Sequence, residues 1–135
     1  MDSTEHPLPP KPNKPLVLLI DDEPFILDVL RAGLQSEFEI ETASSAEEAN
    51  LLIGTRRYDA IVSDQILPGE NGLEFLIRAF RQQPTARRIL LTGYINPELL
   101  SRSTSLAGLS ACLLKPVHFA ELKKTLYAAL ATEAK

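Results

Sequence analysis

The sequence predicts an α/β domain: a doubly wound, five-stranded parallel sheet with helices on both faces. Three observations carry that expectation. Short apolar runs of strand length recur along the chain. Between them, apolar residues return at helical spacing. Most changes of pattern are marked by Pro, Gly, Asn or a Ser/Glu helix-start signature. Strands that alternate with helices in this way form parallel sheets covered on both sides.

The elements follow in order. Residues 1–15 hold Pro7, Pro9, Pro10, Pro12 and Pro15 with few apolar side chains, so they are expected to be a flexible, polyproline-biased leader, and residues 16–132 the domain. Leu16-Val17-Leu18-Leu19-Ile20 is continuously apolar, the mark of a strand buried on both faces. Pro24 suits a first helical turn, and Ile26, Leu27, Leu30 and Leu34 follow at helical spacing. Phe38, Ile40 and Thr42 alternate with Glu39 and Glu41, as in an edge strand with one wetter face. Ser44 and Ser45 precede Glu47 and Glu48 by three residues, a doubled capping box for a helix to Ile53.

Asp59 to Ser63 reads as the third strand, and Gly72 opens a helix with the stripe Leu73, Leu76, Ile77 and Phe80. Ile89 to Thr92 is the fourth strand. Asn96 with Pro97 starts a helix to about Ala107, whose second half is expected to fray because Ser101, Ser103, Thr104 and Ser105 compete for backbone hydrogen bonds. Ala111 to Leu114 is the fifth strand, and Phe119, Leu122, Leu126, Ala129 and Leu130 stripe the last helix.

At 135 residues with 44% hydrophobic and 24% charged side chains, the chain is an ordinary globular domain with no internal repeat and no room for a second one. A net charge of −4 argues against direct nucleic-acid binding, and Arg56-Arg57 and Arg87-Arg88 read as solvated surface pairs. The apolar runs are too short to span a bilayer, and no apolar signal core begins the chain. The single cysteine, Cys112, forms no internal disulfide, which suits a reducing cytoplasm.

The stretch IVSDQILPGENG, 61–72, poses the functional question: an acid, Asp64, ends an apolar run. Asn71-Gly72 between apolar runs is a hairpin signal. The competing reading is a ligand site, because open parallel sheets bind ligands beyond the carboxyl ends of their strands. Those ends carry Asp21 and Asp22, Asp64, Thr92 and Lys115. Singly, Asp22 could cap the next helix, Thr92 a turn, and Lys115 could be a solvated residue before Pro116. Together they favour a site. Two carboxylates ~4 Å apart repel by about 1 kcal/mol in water and about 4 kcal/mol at an effective dielectric of 20. Mg²⁺ would offset that, taking hard oxygen ligands and bridging carboxylates to phosphate oxygens. With Lys115 as a fixed cation and Thr92 as a hydroxyl donor, the set suits phosphoryl transfer. His6 lies in the leader and His118 opens the last helix as a surface residue, so acyl transfer and zinc chemistry lack their parts.

The motifs IDDEP at 20–24, SDQILPGENG at 63–72, LLTGY at 90–94 and LLKP at 113–116 make the chain resemble a receiver domain of a two-component response regulator, from Leu16 to about Leu130. The resemblance implies a flavodoxin-like (βα)5 fold with strand order 2-1-3-4-5. It implies Asp64 as phosphoacceptor, Asp21, Asp22, Asp64 and the backbone carbonyl of Ile66 as Mg²⁺ ligands, Thr92 and Lys115 on the phosphoryl group, and a cis Lys115-Pro116 peptide. The implied phosphodonor is a histidine kinase or phosphotransfer protein. The implied readers are an output domain or partner protein, or a phosphorylation-linked homodimer, with the chain acting alone or as part of a longer regulator.

Cys112 stands where the family usually has Tyr or Phe, an aromatic that swings inward as the Thr moves, and Leu67 replaces the common Met before Pro68. The pairing of Gln65 with TGY resembles receivers attached to cyclic-dinucleotide phosphodiesterase or transcriptional outputs. Two other classes compete: an Mg²⁺-dependent aspartyl-phosphate hydrolase, which usually has Asp-x-Asp after its first strand and a cap domain, and a receiver-shaped module that is never phosphorylated.

Overall fold

The expected alternation is realised in the computed structural model, which describes residues 14–131; most of the Pro-rich leader and Thr132 lie outside that range. The elements are β1 (Leu16–Ile20), α1 (Pro24–Leu34), β2 (Glu39–Ala43), α2 (Ala46–Ile53), β3 (Ala60–Asp64), α3 (Gly72–Gln82), β4 (Arg87–Thr92), α4 (Pro97–Ala107), β5 (Ala111–Leu114) and α5 (Phe119–Ala131). All strand pairs are parallel, and the sheet order is β2-β1-β3-β4-β5. β3 is buried along its whole length, whereas the edge strand β2 keeps its acidic residues wetter. No helix among the described residues is long and apolar enough to cross a membrane.

Strand alternation divides the core into two layers. Leu18, Ile20, Ile61 and Leu90 pack with α2, α3 and the end of α4 through Ala49, Phe75, Leu76 and Ala107. Val17, Leu19, Val62 and Leu91 pack on the opposite face with Leu27, Leu30 and Leu34 of α1 and Leu122 and Leu126 of α5. Full burial of one such leucine removes an exposure cost of about 1.5–3 kcal/mol, so these two layers fix which side of the sheet each strand-tip residue faces.

Local chemistry explains the helix starts. Ser45 accepts the Glu48 amide at 3.1 Å, while the Glu48 carboxylate reaches back past the cap to the Ser44 amide at 2.8 Å. Asn71 caps α3 by accepting the Glu74 amide at 2.8 Å, so the Asn-Gly pair begins a helix and not a hairpin. Asp22 is not the cap of α1; Glu23 occupies that position without a side-chain bond.

α4 remains helical through Ala107, because Thr104 and Ser105 donate their hydroxyls back to the Leu100 and Ser101 carbonyls at 2.9 and 3.4 Å instead of displacing the helical bonds. Gly108 then ends it at φ +59. The Arg87-Arg88 pair corrects the surface reading. β4 begins at Arg87, Arg88 is 5% exposed, and the Arg87 Nε donates to the Ala129 carbonyl of α5 at 2.8 Å.

Candidate functional site

Asp64 is the last residue of β3, and the backbone behind it is held on three sides. The Gln65 amide extends the ladder to the Leu91 carbonyl at 2.8 Å, the Ser63 hydroxyl donates to the Asp64 carbonyl at 2.9 Å, and the Gly72 amide donates to the Gln65 carbonyl at 2.8 Å. The Gln65 side chain accepts the Leu73 amide at 3.0 Å, tying the first turn of α3 to the same point. The roles of Gln65 and Gly72 carry little signal in the sequence beyond Gly72 following the cap residue Asn71.

A Cβ on Gly72 would stand 2.0 Å from the Asp64 carbonyl oxygen and 2.8 Å from the Ser63 hydroxyl. A backbone oxygen cannot rotate away. Gly72→Ala is therefore expected to cost about 1–3 kcal/mol or more, as overpacking does, and to displace Asp64. Urea unfolding measures this; unchanged stability would show that the loop yields freely.

The strand-tip residues gather as expected, with one exception. Asp21, Asp22 and Asp64 can each present a carboxylate oxygen within 4.8 Å of the others, with Asp21 and Asp64 buried and Asp22 exposed. Lys115 Nζ lies 3.2 Å from Asp64 Oδ1 and 3.6 Å from Asp21 Oδ2. Strand parity accounts for the grouping: Asp21, Asp64 and Lys115 continue the Val17-Leu19, Ala60-Val62 and Ala111-Leu113 series that faces α1 and α5.

Thr92 continues the opposite series, after Leu90, and its hydroxyl is engaged in its own loop. It donates to the Tyr94 carbonyl at 3.1 Å and accepts the Tyr94 amide at 3.3 Å. Lys115 is nevertheless pinned to the Thr92 backbone by its amide, at 2.8 Å, and the Lys115-Pro116 peptide is cis. Ile66 lies two residues beyond Asp64 and is 75% exposed. His118 is exposed and accepts the Ala120 amide at 3.0 Å, a helix-start role.

The electrostatics fit a cation. Burial holds the Asp21 carboxyl above its ordinary range, the Glu23 amide at 2.9 Å opposes this, and the Asp64 charge adds to it. Burial pulls Lys115 down, but its contacts with Asp64 and Asp21 outweigh burial and leave it raised. Asp21 Oδ2 is buried and accepts no hydrogen bond. Oxygens around an octahedral Mg²⁺ at about 2.1 Å stand roughly 3–4 Å apart, which the spread of the three acids accommodates. An enclosed carboxylate oxygen that accepts no hydrogen bond, with the Lys115 ammonium 3.6 Å away and two further carboxylates beside it, fits a divalent ion. The arrangement thus offers one anionic nucleophile, a fixed cation, and an acidic cradle.

The profile of the family described as the response regulator receiver domain matches residues 17–127. The chain is 38% identical over 100 residues to a hydrogenase transcriptional regulatory protein, HoxA, of Cupriavidus necator, covering 74% of this chain and 21% of that one. It spans about a fifth of the length of the curated HoxA relatives that it matches. Among solved structures it is similar to a CheY-like response regulator receiver domain protein of Methanospirillum hungatei, at TM-score 0.81 and 30% identity over 87% of this chain and 94% of that one. It is also similar to the signal receiver domain of an HD domain-containing protein of Pseudomonas fluorescens, at TM-score 0.80 and 31% identity over 87% and 95%.

Proposed function

We propose, on the premise that this chain belongs to the response regulator receiver domain family, that Asp64 is its phosphoacceptor and that the strand-tip cluster is the phosphoryl-transfer site. The observation that carries the reading is Lys115 Nζ at 3.2 Å from the Asp64 carboxylate inside an acidic cradle. In transfer, an Asp64 carboxylate oxygen bonds to phosphorus as the bond from phosphorus to the donor imidazole nitrogen breaks, and the imidazole leaves with the electron pair. Lys115 turns its charge towards the incoming phosphoryl oxygens, and Thr92 gives up its bonds to Tyr94 to donate its hydroxyl to one of them. Asp21, Asp22, Asp64 and the Ile66 carbonyl would hold Mg²⁺, which when bound supplies neutralisation of phosphoryl charge.

The donor is a histidine kinase or phosphotransfer protein, and the reader is an output domain, a partner protein or a second copy, in a cytoplasmic setting. The domain acts as a signalling switch that assists its own phosphorylation and dephosphorylation. The family match and the absence of Asp-x-Asp after β1 both weigh against the hydrolase reading. Incubation with acetyl phosphate and Mg²⁺, followed by peptide mass mapping, tests the assignment. A single Mg²⁺-dependent phosphoryl adduct on Asp64 is expected; an adduct on another residue overturns it.

Signal exit runs through Tyr94. The residue is 73% exposed and lines a cavity of about 40 Å³ with Thr92, Leu100 and Cys112. Cys112 is half-buried and too small to fill that space or reshape the surface. Release of Thr92 frees the Tyr94 backbone at both its amide and its carbonyl, so the loop before α4 can reorder. Tyr94→Ala is expected to diminish the change in self-association or partner binding produced by beryllofluoride, and Cys112→Ala to leave it nearly intact. Sedimentation with and without beryllofluoride decides between them, and the reverse pattern would refute this route.

A further inference from the structure

Arg88 is a buried guanidinium that pairs with no carboxylate among the described residues. Its donors go to backbone carbonyls instead. Nε reaches Ala107 at 2.7 Å and Nη2 reaches Gly108 at 3.2 Å, at the end of α4; Nη1 reaches Gln83 at 3.2 Å and Ala86 at 2.5 Å, after α3. The group lies 4.2 Å from the centroid of the Phe80 ring. The Gln83, Ala107 and Gly108 carbonyls lie at the negative ends of two helix dipoles, and with the Ala86 carbonyl of the following turn they offset the cation without an acid. Burial, and then the neighbouring Arg87 charge, lower its pKa to about 10, which leaves it charged at neutral pH.

The two ends of α4 are held very differently. At the carboxyl end, Ala107 and Leu109 are buried, the Ser110 amide donates to the Arg88 carbonyl at 2.7 Å, and Gly108 leaves room for the guanidinium, since a Cβ there would stand 3.0 Å from Nη2. At the amino end, Pro97 and Glu98 are exposed, and the 40 Å³ cavity lies beside Ile95, Asn96 and Leu100. Space under one end, and at the other two guanidinium bonds with the Ser110–Arg88 backbone bond, describe a lever.

We propose that Arg88 is a positioning residue that hinges α4 at its carboxyl end, so that rearrangement at Thr92 moves the amino-terminal half of the helix over the cavity while residues 104–108 stay fixed. The hinge rests on the geometry of Arg88; only its coupling to Asp64 rests on the phosphoacceptor reading. Arg87, bonded to the Ala129 carbonyl, holds α5 on the other face of the same strand.

Amide hydrogen exchange on the full chain tests this with wild type, Arg88→Met and Arg88→Lys. Without ligand, wild-type amides of 104–107 are expected to exchange about tenfold or more slower than those of 100–102, a contrast that shrinks to about threefold or less in Arg88→Met. Arg88→Lys keeps the charge but lacks the fork that reaches both helix ends, so it should recover only part of the contrast, and it carries the test if Arg88→Met does not fold. Beryllofluoride with Mg²⁺ should change exchange at 93–102 in wild type and spread the change to 104–108 in the variants, with beryllofluoride affinity within about twofold, since the clamp touches no site residue. Unchanged exchange at 104–107 in a folded variant, or equal acceleration in every helix, overturns the hinge. If wild type binds no beryllofluoride, the phosphoacceptor reading fails, and the ligand-free contrast still decides the hinge.

Discussion

Asp64→Asn is expected to take up no phosphoryl group from acetyl phosphate under conditions that modify the wild-type chain. The amide oxygen of Asn is a poor nucleophile, and neither neighbouring acid is placed to substitute. Asp21 is 2% exposed, its Oδ1 already accepts the Glu23 amide, and its Oδ2 is enclosed. Asp22 is exposed, and among the described residues Lys115 pairs with Asp21 and Asp64 instead. Lys115→Met should leave the acceptor in place yet slow its modification by about 10²–10³-fold, the usual effect of removing one group that stabilises transition-state charge. Intact-mass measurement over time separates the two outcomes. A stable adduct on Asp64→Asn at wild-type yield would remove Asp64 from its role.

Asp21→Asn is expected to melt at a higher temperature than wild type when no divalent ion is present. It keeps an acceptor for the Glu23 amide while removing one negative charge from a cluster that sets three carboxylates against Lys115. Repulsion between two such acids at about 4–5 Å is about 1 kcal/mol in water and about 3–4 kcal/mol at an effective dielectric of 20, and Lys115 cancels part of it. A gain of about 1 kcal/mol raises the melting temperature of a domain this size by several degrees.

The pH dependence has a definite sign. Folded Asp21 holds its proton more tightly than the unfolded chain does, its pKa being raised above 3.8. Wild-type stability therefore falls as pH rises from near 3.8 through the folded pKa, and the full cost is present above it. The advantage of Asp21→Asn should be full at neutral pH and vanish towards pH ~4. Added Mg²⁺ should reverse the order if the acids hold the ion as proposed, because ion binding stabilises the folded state by an amount set by its affinity, and the variant offers the ion one carboxylate fewer. Thermal melts across pH, with and without Mg²⁺, measure all of this. An unchanged or lower ion-free melting temperature would show that the acids are not in conflict.

Much of the fold and of the candidate site was legible in the order of residues. Leu16–Ile20 carried the mark of a doubly covered strand, and Ser45 with Glu48 the signature of a helix start, because apolar period and capping are properties of a few neighbouring residues. The identities of Asp21, Asp22, Asp64 and Lys115 followed from the same reading, since a parallel sheet brings its strand ends to one edge whatever the loops do. Strand parity extends this, placing Asp21, Asp64 and Lys115 on the side of α1 and α5 and Thr92 on the other.

Tertiary structure alone decided the rest. Gly72 matters because a Cβ at the start of α3 would stand 2.0 Å from the Asp64 carbonyl oxygen, a distance between two elements and not within one. Thr92 turns its hydroxyl to Tyr94 because the loop conformation, not the residue type, chooses its partner. Arg88 reads as a surface charge in any window of sequence, and its burial became tolerable only when folding brought the carbonyls of Gln83, Ala86, Ala107 and Gly108 around one guanidinium. The chain sequence determined which groups carry charge and where each strand ends; the packing of helices against the sheet determined which of those charges are enclosed, because the cost of burying a charge depends on partners that lie far away along the chain.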